Sequence, residues 1–123
     1  MIQQRRKNLK GFLGGFVDAA KGLGESIRTQ FNIRFHFIAT VISLIMCYAY
    51  HLSWAEWSII ILAIAIVWVA ELLNTALEYL SDFVSPEYNH LIGKVKDIAA
   101  GAAFVASILS LTIGLIIFIP KIF

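Results

Sequence analysis

Three long apolar runs constrain this chain more than any other feature of its sequence. They cover residues 35–52, 57–80 and 98–119. The last run belongs to a longer predicted helix, residues 86–119, which begins as a cytoplasmic extension and enters lipid near Ile98. A helix of about 20 residues crosses a hydrocarbon core of roughly 30 Å. Open strands would leave backbone groups without hydrogen bonds in lipid, so each run is predicted to be a transmembrane helix. Because 59% of its 123 residues are hydrophobic, the chain is predicted to be a single all-α membrane domain.

A further helix is predicted at residues 8–31, ahead of the first span. Its apolar residues recur at steps of three or four and form one stripe: Phe12, Phe16, Ala19, Leu23, Ile27 and Phe31. Charged residues such as Lys10 and Lys21 occupy other positions. A helix with this pattern is expected to lie in the plane of the membrane surface.

The distribution of basic residues predicts the orientation. Lys and Arg are concentrated before residue 35, and Lys94 and Lys96 lie between the second and third spans. The link between the first two spans, at residues 53–56, contains neither. The positive-inside rule therefore places the N-terminus in the cytoplasm and the C-terminus outside. No cleavable signal peptide is expected, which predicts a multi-pass protein of the inner membrane.

Composition disfavours several kinds of partner. The net charge is only +2 and no dense basic stripe exists, so no nucleic-acid partner is expected. The single cysteine, Cys47, excludes an internal disulfide and multi-cysteine metal sites. His36 has no second ligand at helical spacing, and at the end of the first span its ring is expected to reach water.

Capping patterns predict two helix starts. Ser53-x-x-Glu56 precedes an apolar run and is typical of a capping box, which explains Glu56 without any function. Ser85-Pro86 places a capping residue before a proline, so the last helix is predicted to begin near Pro86.

The second span carries the most informative feature, a line of polar residues on one face. Glu71, Asn74, Glu78 and Asp82 are spaced i, i+3, i+7 and i+11. On a helix that turns about 100° per residue they fall within one narrow stripe. A charge at the centre of a membrane costs on the order of 3 kcal/mol or more. Because polar residues inside a membrane are costly and usually functional, this stripe indicates a functional site.

The stripe is predicted to run from lipid toward water. Burial disfavours the charged form of Glu71, so this residue could hold or accept a proton near neutral pH. Glu78 and Asp82 should reach the aqueous interface, stay ionised and offer oxygen ligands to a hard cation. Lys96 and Asp97 precede a run of small residues, and close packing there would bring them toward the acidic face.

The residues alone leave three interpretations open. Lys96 could simply pair with Glu78 or Asp82, which would make burial of the acids tolerable. The acids could form a proton or ion pathway. The stripe could also be a phosphoryl-transfer site at the interface, where Lys96 would neutralise phosphate charge.

The sequence around the stripe resembles a known family. It reads Glu71-Leu-Leu-Asn-Thr-Ala-Leu-Glu-Tyr-Leu-Ser-Asp82 and later Lys96-Asp-Ile-Ala-Ala-Gly-Ala102. This is similar to the signature of the small bacterial membrane diacylglycerol kinase and undecaprenol kinase family, over nearly the whole chain. The resemblance implies a homotrimer in the bacterial inner membrane. Its active sites would lie at the cytoplasmic interface and use ATP and Mg²⁺ to phosphorylate the hydroxyl of a membrane lipid.

The resemblance also implies roles for individual residues. Glu71 matches the catalytic base that takes the lipid hydroxyl proton, and Asn74 would help to position the reacting groups. Glu78 matches a ligand of the ATP-bound magnesium. The implied nucleotide contacts are Lys96, Asp97, Glu87 and again Glu78, and the supporting residues are Asp82, Asn32 and Ala100.

Gln30 marks a departure from the family pattern. The family usually has a second magnesium-binding glutamate in the pattern Glu-x-Asn-x-x-x-His, whereas this chain reads Gln30-Phe-Asn32-Ile-Arg-Phe-His36. An amide oxygen can ligate magnesium but brings no charge, so weaker binding of metal and ATP is expected. Glu25, five residues earlier and near the opposite helix face, is an imperfect substitute.

The interpretation favoured by the sequence is an ATP-dependent lipid kinase. Magnesium and a lysine would stabilise charge on the transferred group while the fold holds the nucleophile in line. Undecaprenol is slightly favoured over diacylglycerol as the acceptor. Two alternatives are a catalytically impaired membrane scaffold, because of Gln30, and a proton or ion transport subunit.

Overall fold

The structure is a computed structural model that describes residues 9–123, and this part of the chain forms four helices. They are α1 (Leu9–Thr29), α2 (Phe31–Ala49), α3 (Trp54–Val84) and α4 (His90–Ile122). The last three are each long and apolar enough to cross a membrane. The predicted all-α fold, with a leading helix and three spans, is confirmed. Residue 8, the predicted first residue of that leading helix, lies outside the described residues.

The three membrane helices differ from the predicted spans 35–52, 57–80 and 86–119 by three or four residues at each end. α2 begins at Phe31 rather than at residue 35, because only Gln30, with an extended backbone, separates it from α1. α3 continues beyond residue 80 to Val84, so the whole polar stripe is helical. α4 runs through Pro120 to Ile122. A proline this close to the end of a helix removes only one of its last backbone hydrogen bonds.

The predicted start of the last helix at Ser85-Pro86 is wrong. Ser85 instead follows the last residue of α3, and its hydroxyl donates to the Glu87 carbonyl at 2.8 Å. The following proline disfavours a helical conformation for Ser85, which has φ −142° and ψ 88°. Asn89 caps α4, since its side-chain oxygen accepts a hydrogen bond from the Leu91 N–H at 2.8 Å.

The predicted capping box at the start of α3 is confirmed. The Glu56 N–H donates to Ser53 Oγ at 3.2 Å, and the Ser53 N–H donates to Glu56 Oε1 at 3.0 Å. Glu56 also lies 3.3 Å from the ammonium of Lys121. This carboxylate therefore joins the beginning of α3 to the end of α4.

The central helix is α3, which contacts each of the other three. Its interface with α4 is built from small buried residues, with Ala63 on α3 and Ala99, Ala103 and Ala106 on α4. Small side chains let two helices approach closely in a membrane. The approach is close enough for the Ser110 hydroxyl of α4 to donate to the Ala63 carbonyl at 3.1 Å.

The outward faces of the spans are apolar. Large side chains such as Ile45, Leu62 and Ile116 have more than half of their surface exposed, at 61%, 62% and 68%. Apolar surface of this extent on three long helices belongs in lipid rather than in water. The chain is therefore a multi-pass membrane protein.

The link from α2 to α3 is closed by a Schellman motif. The Leu52 N–H bonds to the Cys47 carbonyl, and the His51 N–H bonds to the Tyr48 carbonyl, both at 3.2 Å. His51 has φ +53°, the left-handed conformation that such a motif requires. Leu52 then enters a buried apolar cluster with Cys47.

The left-handed conformation of His51 allows the contribution of this turn to the free energy of unfolding to be tested. We expect the His51→Gly variant to unfold with a free energy about 1 kcal/mol higher than that of His51→Ala, because glycine has no Cβ to oppose the positive φ. Both variants lack the imidazole, so their difference isolates the backbone term. Unfolding titrations in detergent micelles measure it. An alanine variant as stable as the glycine variant would contradict the role of the turn.

Candidate active site

The polar stripe of α3 runs from buried to exposed in the predicted order. Glu71 and Asn74 are buried, with 7% and 8% of their surface exposed. Glu78, one turn further, is half-buried, and Asp82 is exposed. The acids of α3 thus extend from the protein interior to the C-terminal end of this helix, which leads into the link before α4.

The buried carboxylate of Glu71 is paired with His36. Nε2 of His36 lies 3.0 Å from Oε1 of Glu71, and the two side chains are only 15% and 9% exposed. The prediction that His36 reaches water is therefore wrong. Sequence reasoning missed this residue, although a histidine near the end of an apolar helix is itself a signal for a polar partner.

A second hydrogen-bonded link joins α2 to α3 beside this pair. The indole N–H of Trp68 donates to Thr40 Oγ1 at 2.8 Å, and the Thr40 hydroxyl donates to the His36 carbonyl at 2.7 Å. Thr75 donates its hydroxyl to the Glu71 carbonyl at 3.0 Å. Sequence reasoning missed these residues because each hydroxyl also fits an ordinary bond to the preceding turn of its own helix.

The side chain of Asn74 is buried with its oxygen unsatisfied by the described residues. Its Oδ1 is fully buried and has no hydrogen-bond partner within residues 9–123. The residue lies on a groove of about 480 Å³ between α3 and α4, whose other lining residues are apolar, including Leu73, Ala99 and Ala102. An unsatisfied buried oxygen costs about 1–3 kcal/mol. A cost of this size at a predicted site residue indicates that its partner lies outside residues 9–123.

Glu78 has no protein partner in the described part of the chain. Its carboxylate makes no hydrogen bond or ion pair with residues 9–123 and remains partly accessible. Among those residues no group of three or more His, Cys, Asp or Glu side chains is arranged to hold a metal ion. Gln30, the other predicted metal ligand, lies at the α1–α2 junction, partly buried and with no side-chain capping bond. A cation bound here would need further ligands from outside the described residues.

Lys96 and Asp82 meet at the exposed end of the stripe. The Lys96 ammonium lies 2.5 Å from Asp82 Oδ1, with the two side chains 40% and 65% exposed. Lys96 therefore pairs with an acid of the stripe, which was the first of the three interpretations that the sequence left open. Exposed pairs contribute about 0–1 kcal/mol, so this one can exchange partners at little cost.

The other predicted residues are not gathered into one cluster. Asp97 is exposed and makes no bond to described residues, and Glu87 lies exposed in the link between α3 and α4. The side chains of Asn32 and Ala100 are also exposed. Glu25 is engaged by Arg28 at 2.6 Å.

A second groove lies between α1 and α3. Its volume is about 510 Å³, and its lining includes Gly22, Glu25 and Ser26 on α1 and Thr75 and Tyr79 on α3. Thr75 is the residue that holds the backbone of the Glu71 turn. The leading helix therefore borders the polar part of α3.

The chemistry available at this end of the molecule is limited and specific. One buried carboxylate, oriented by an imidazole, can accept a proton. A second carboxylate, without a partner among residues 9–123, lies two turns away on the same helix face and can offer oxygen ligands to a hard cation. A nearby ammonium can neutralise an anion. Such a set fits proton removal from one molecule beside a bound, negatively charged second molecule.

Comparison with known proteins gives a consistent result. The sequence profile of the prokaryotic diacylglycerol kinase family matches residues 17–118. The chain is similar to an undecaprenol kinase of Bacillus subtilis (strain 168), with 40% identity over 119 residues that cover 97% of each chain. It is also similar to a diacylglycerol kinase of Synechocystis sp., with 32% identity over 109 residues that cover 88% of this chain and 62% of that protein.

A second test concerns the energetic cost of the unsatisfied Asn74 oxygen. We expect Asn74→Leu to raise the free energy of unfolding by about 1 kcal/mol, because it replaces an unsatisfied buried amide with an apolar side chain of similar size. Thr75→Val is the matched control, since the Thr75 hydroxyl is satisfied and its loss should stay within about 1 kcal/mol. Detergent unfolding titrations compare the two. A destabilised leucine variant would show that the amide has a structural partner.

Proposed function

Since the chain belongs to the prokaryotic diacylglycerol kinase family, we propose that it transfers the terminal phosphoryl group of ATP to the hydroxyl of a membrane lipid. The enzyme class, a lipid kinase, follows from the family and from the two similar proteins named above. The observation that carries the proposed chemistry is the polar stripe of α3. It places a buried, hydrogen-bonded carboxylate and a carboxylate without a partner among the described residues on one helix face.

Glu71 is the general base in this proposal. A buried carboxylate held by one hydrogen bond keeps a second oxygen for the lipid hydroxyl proton. Removal of that proton lets the lipid oxygen attack the terminal phosphorus of ATP. Asn74, whose buried Oδ1 lacks a partner in the described chain, would position the reacting groups by accepting a hydrogen bond from one of them.

Glu78, with Gln30, would hold the magnesium ion that accompanies ATP. Magnesium is commonly bound through one or two carboxylates together with substrate phosphates, so no cluster of three protein ligands is required. The donors fit this pattern, because the Glu78 carboxylate has no partner among the described residues and Gln30 offers a neutral oxygen. The ion, when bound, would offset charge on the phosphate oxygens.

Lys96, Asp97 and Glu87 would contact the nucleotide. Lys96 would exchange Asp82 for a phosphate, which its exposed position and weak pairing permit. Glu87 precedes α4, Asp97 lies about two turns inside it, and both are exposed, which leaves them available to polar groups of the ligand. Asp82, Asn32 and Ala100 would support the site from its rim.

Undecaprenol is the proposed acceptor lipid. The similarity to the undecaprenol kinase extends over 97% of both chains at 40% identity, whereas the similarity to the diacylglycerol kinase is lower and covers 62% of that protein. We further propose a homotrimer in the bacterial inner membrane, with the N-terminus cytoplasmic and the C-terminus outside. Lys94 and Lys96, in the first two turns of α4, support a cytoplasmic location of the site.

Transfer of labelled phosphate tests the function directly. With labelled ATP, magnesium and mixed undecaprenol and diacylglycerol, we expect label in undecaprenyl phosphate on thin-layer chromatography. Glu71→Gln should lower turnover about 100-fold or more while the KM for ATP changes little, because only proton removal is lost.

Glu56→Gln is the control for that experiment, since it makes the same change at the other end of α3 and should leave turnover unaltered. Label in diacylglycerol alone would overturn the proposed acceptor. Ion flux in liposomes without ATP, with no labelled lipid, would support the transport alternative. The absence of both would support the scaffold.

The neutral ligand Gln30 generates a separate test. We expect Gln30→Glu to lower the magnesium concentration at half-maximal turnover by about three- to tenfold, since an anionic oxygen binds the ion more tightly than an amide. Thr29→Glu adds the same charge one residue earlier and controls for general attraction of cations. If Gln30→Glu leaves the magnesium dependence unchanged, Gln30 is no metal ligand.

A further inference from the structure

We infer that His36 is a positioning residue for phosphoryl transfer, because its ring N–H fixes the carboxylate of the base Glu71. This inference rests on the proposed function, in which Glu71 removes the lipid hydroxyl proton. It adds a residue from α2 to a site whose predicted base and amide lie on α3. The distance that supports it is the 3.0 Å between His36 Nε2 and Glu71 Oε1.

The direction of this hydrogen bond follows from the chemistry. An ionised carboxylate can only accept hydrogen bonds, so His36 Nε2 must carry the proton when Glu71 is ready to act as a base. A bond of this kind to a charged group is stronger than one between neutral groups. The pair is largely enclosed, with side-chain exposures of 15% and 9%, so water competes weakly for either group.

The backbone that carries His36 is itself held against α3. Thr40 donates to the His36 carbonyl at 2.7 Å and accepts the Trp68 indole N–H at 2.8 Å. Trp68 lies one turn before Glu71 on the same helix. α2 and α3 are therefore linked at two successive levels, which limits rotation of the imidazole away from the carboxylate.

The second oxygen of the base remains available. Glu71 Oε2 makes no hydrogen bond to residues 9–123, and it is not among their fully enclosed unpartnered atoms. When His36 holds Oε1, Oε2 is the oxygen that can meet the lipid hydroxyl. The hydroxyl proton moves to Oε2, the lipid oxygen bonds to the terminal phosphorus, and the bond from that phosphorus to the bridging oxygen breaks. ADP leaves with the electron pair, and Glu71 later returns its proton to water.

Kinetics of two variants separate positioning from support of the fold. His36→Phe keeps an aromatic ring but removes the donor, and we expect kcat to fall about 10- to 100-fold with KM for ATP and lipid within about twofold. His36→Gln restores an N–H donor and should recover most of the lost kcat. An equal fall in kcat in both variants, or a rise in KM in place of a fall in kcat, would overturn the inference. His51→Asn removes an imidazole at the far end of the same span and should leave both constants unchanged.

Nuclear magnetic resonance of the imidazoles tests the contact without any activity. The chain has three histidines, so the His36 ring can be assigned by substitution, with His51 and His90 as internal references. We expect Glu71→Gln to shift the His36 ring ¹⁵N signals and leave the other two in place. Unmoved His36 signals would overturn the inference. This readout differs from that of the proposed function, which fails if wild-type protein labels no lipid or if Glu71→Gln keeps its turnover.

Discussion

The cost of burying one carboxylate inside a membrane protein governs how these helices fit together. Glu71 is 7% exposed on a helix that is otherwise largely apolar, and its charge is tolerable only with a hydrogen-bonded partner. His36 provides that partner from α2. The two helices must therefore pack at one register, and the Thr40–Trp68 bond one turn away is compatible with that same register. A single polar pair thus specifies an arrangement that apolar surfaces alone would leave loosely defined.

Glutamates near the two ends of α3 have different roles. At its start, Glu56 caps the helix and pairs with Lys121, so every bond it makes serves the fold. Toward its other end, Glu78 has no partner in the described chain, and the buried Asn74 Oδ1 is unsatisfied. Polar groups left unpaired at an energetic cost are expected where a ligand, rather than the protein, completes the hydrogen bonding.

The fold was largely predictable because its signals are local. Apolar length indicated the spans, and the Ser53 capping box indicated where α3 begins. The start of α4 was mispredicted because Ser85-Pro86 satisfies the same capping rule as Asn89, and only the closing turn of α3 decides between them. The stripe of α3 followed from helical periodicity. The His36–Glu71 pair did not, since it joins residues 35 positions apart and depends on how α2 lies against α3.

Each polar residue inside a membrane costs free energy, and phosphoryl transfer requires few polar residues from the protein. The reaction needs positioning and charge stabilisation more than covalent participation by the protein. In the proposed reaction, much of the charge arrives with ATP and magnesium, so a few charged side chains, such as Glu78 and the weakly paired Lys96, can suffice on the protein side. The proton is different, because its acceptor must lie where the lipid hydroxyl lies, inside the apolar region. In the proposed mechanism this acceptor is Glu71, the buried carboxylate that the packing of α2 against α3 holds through His36.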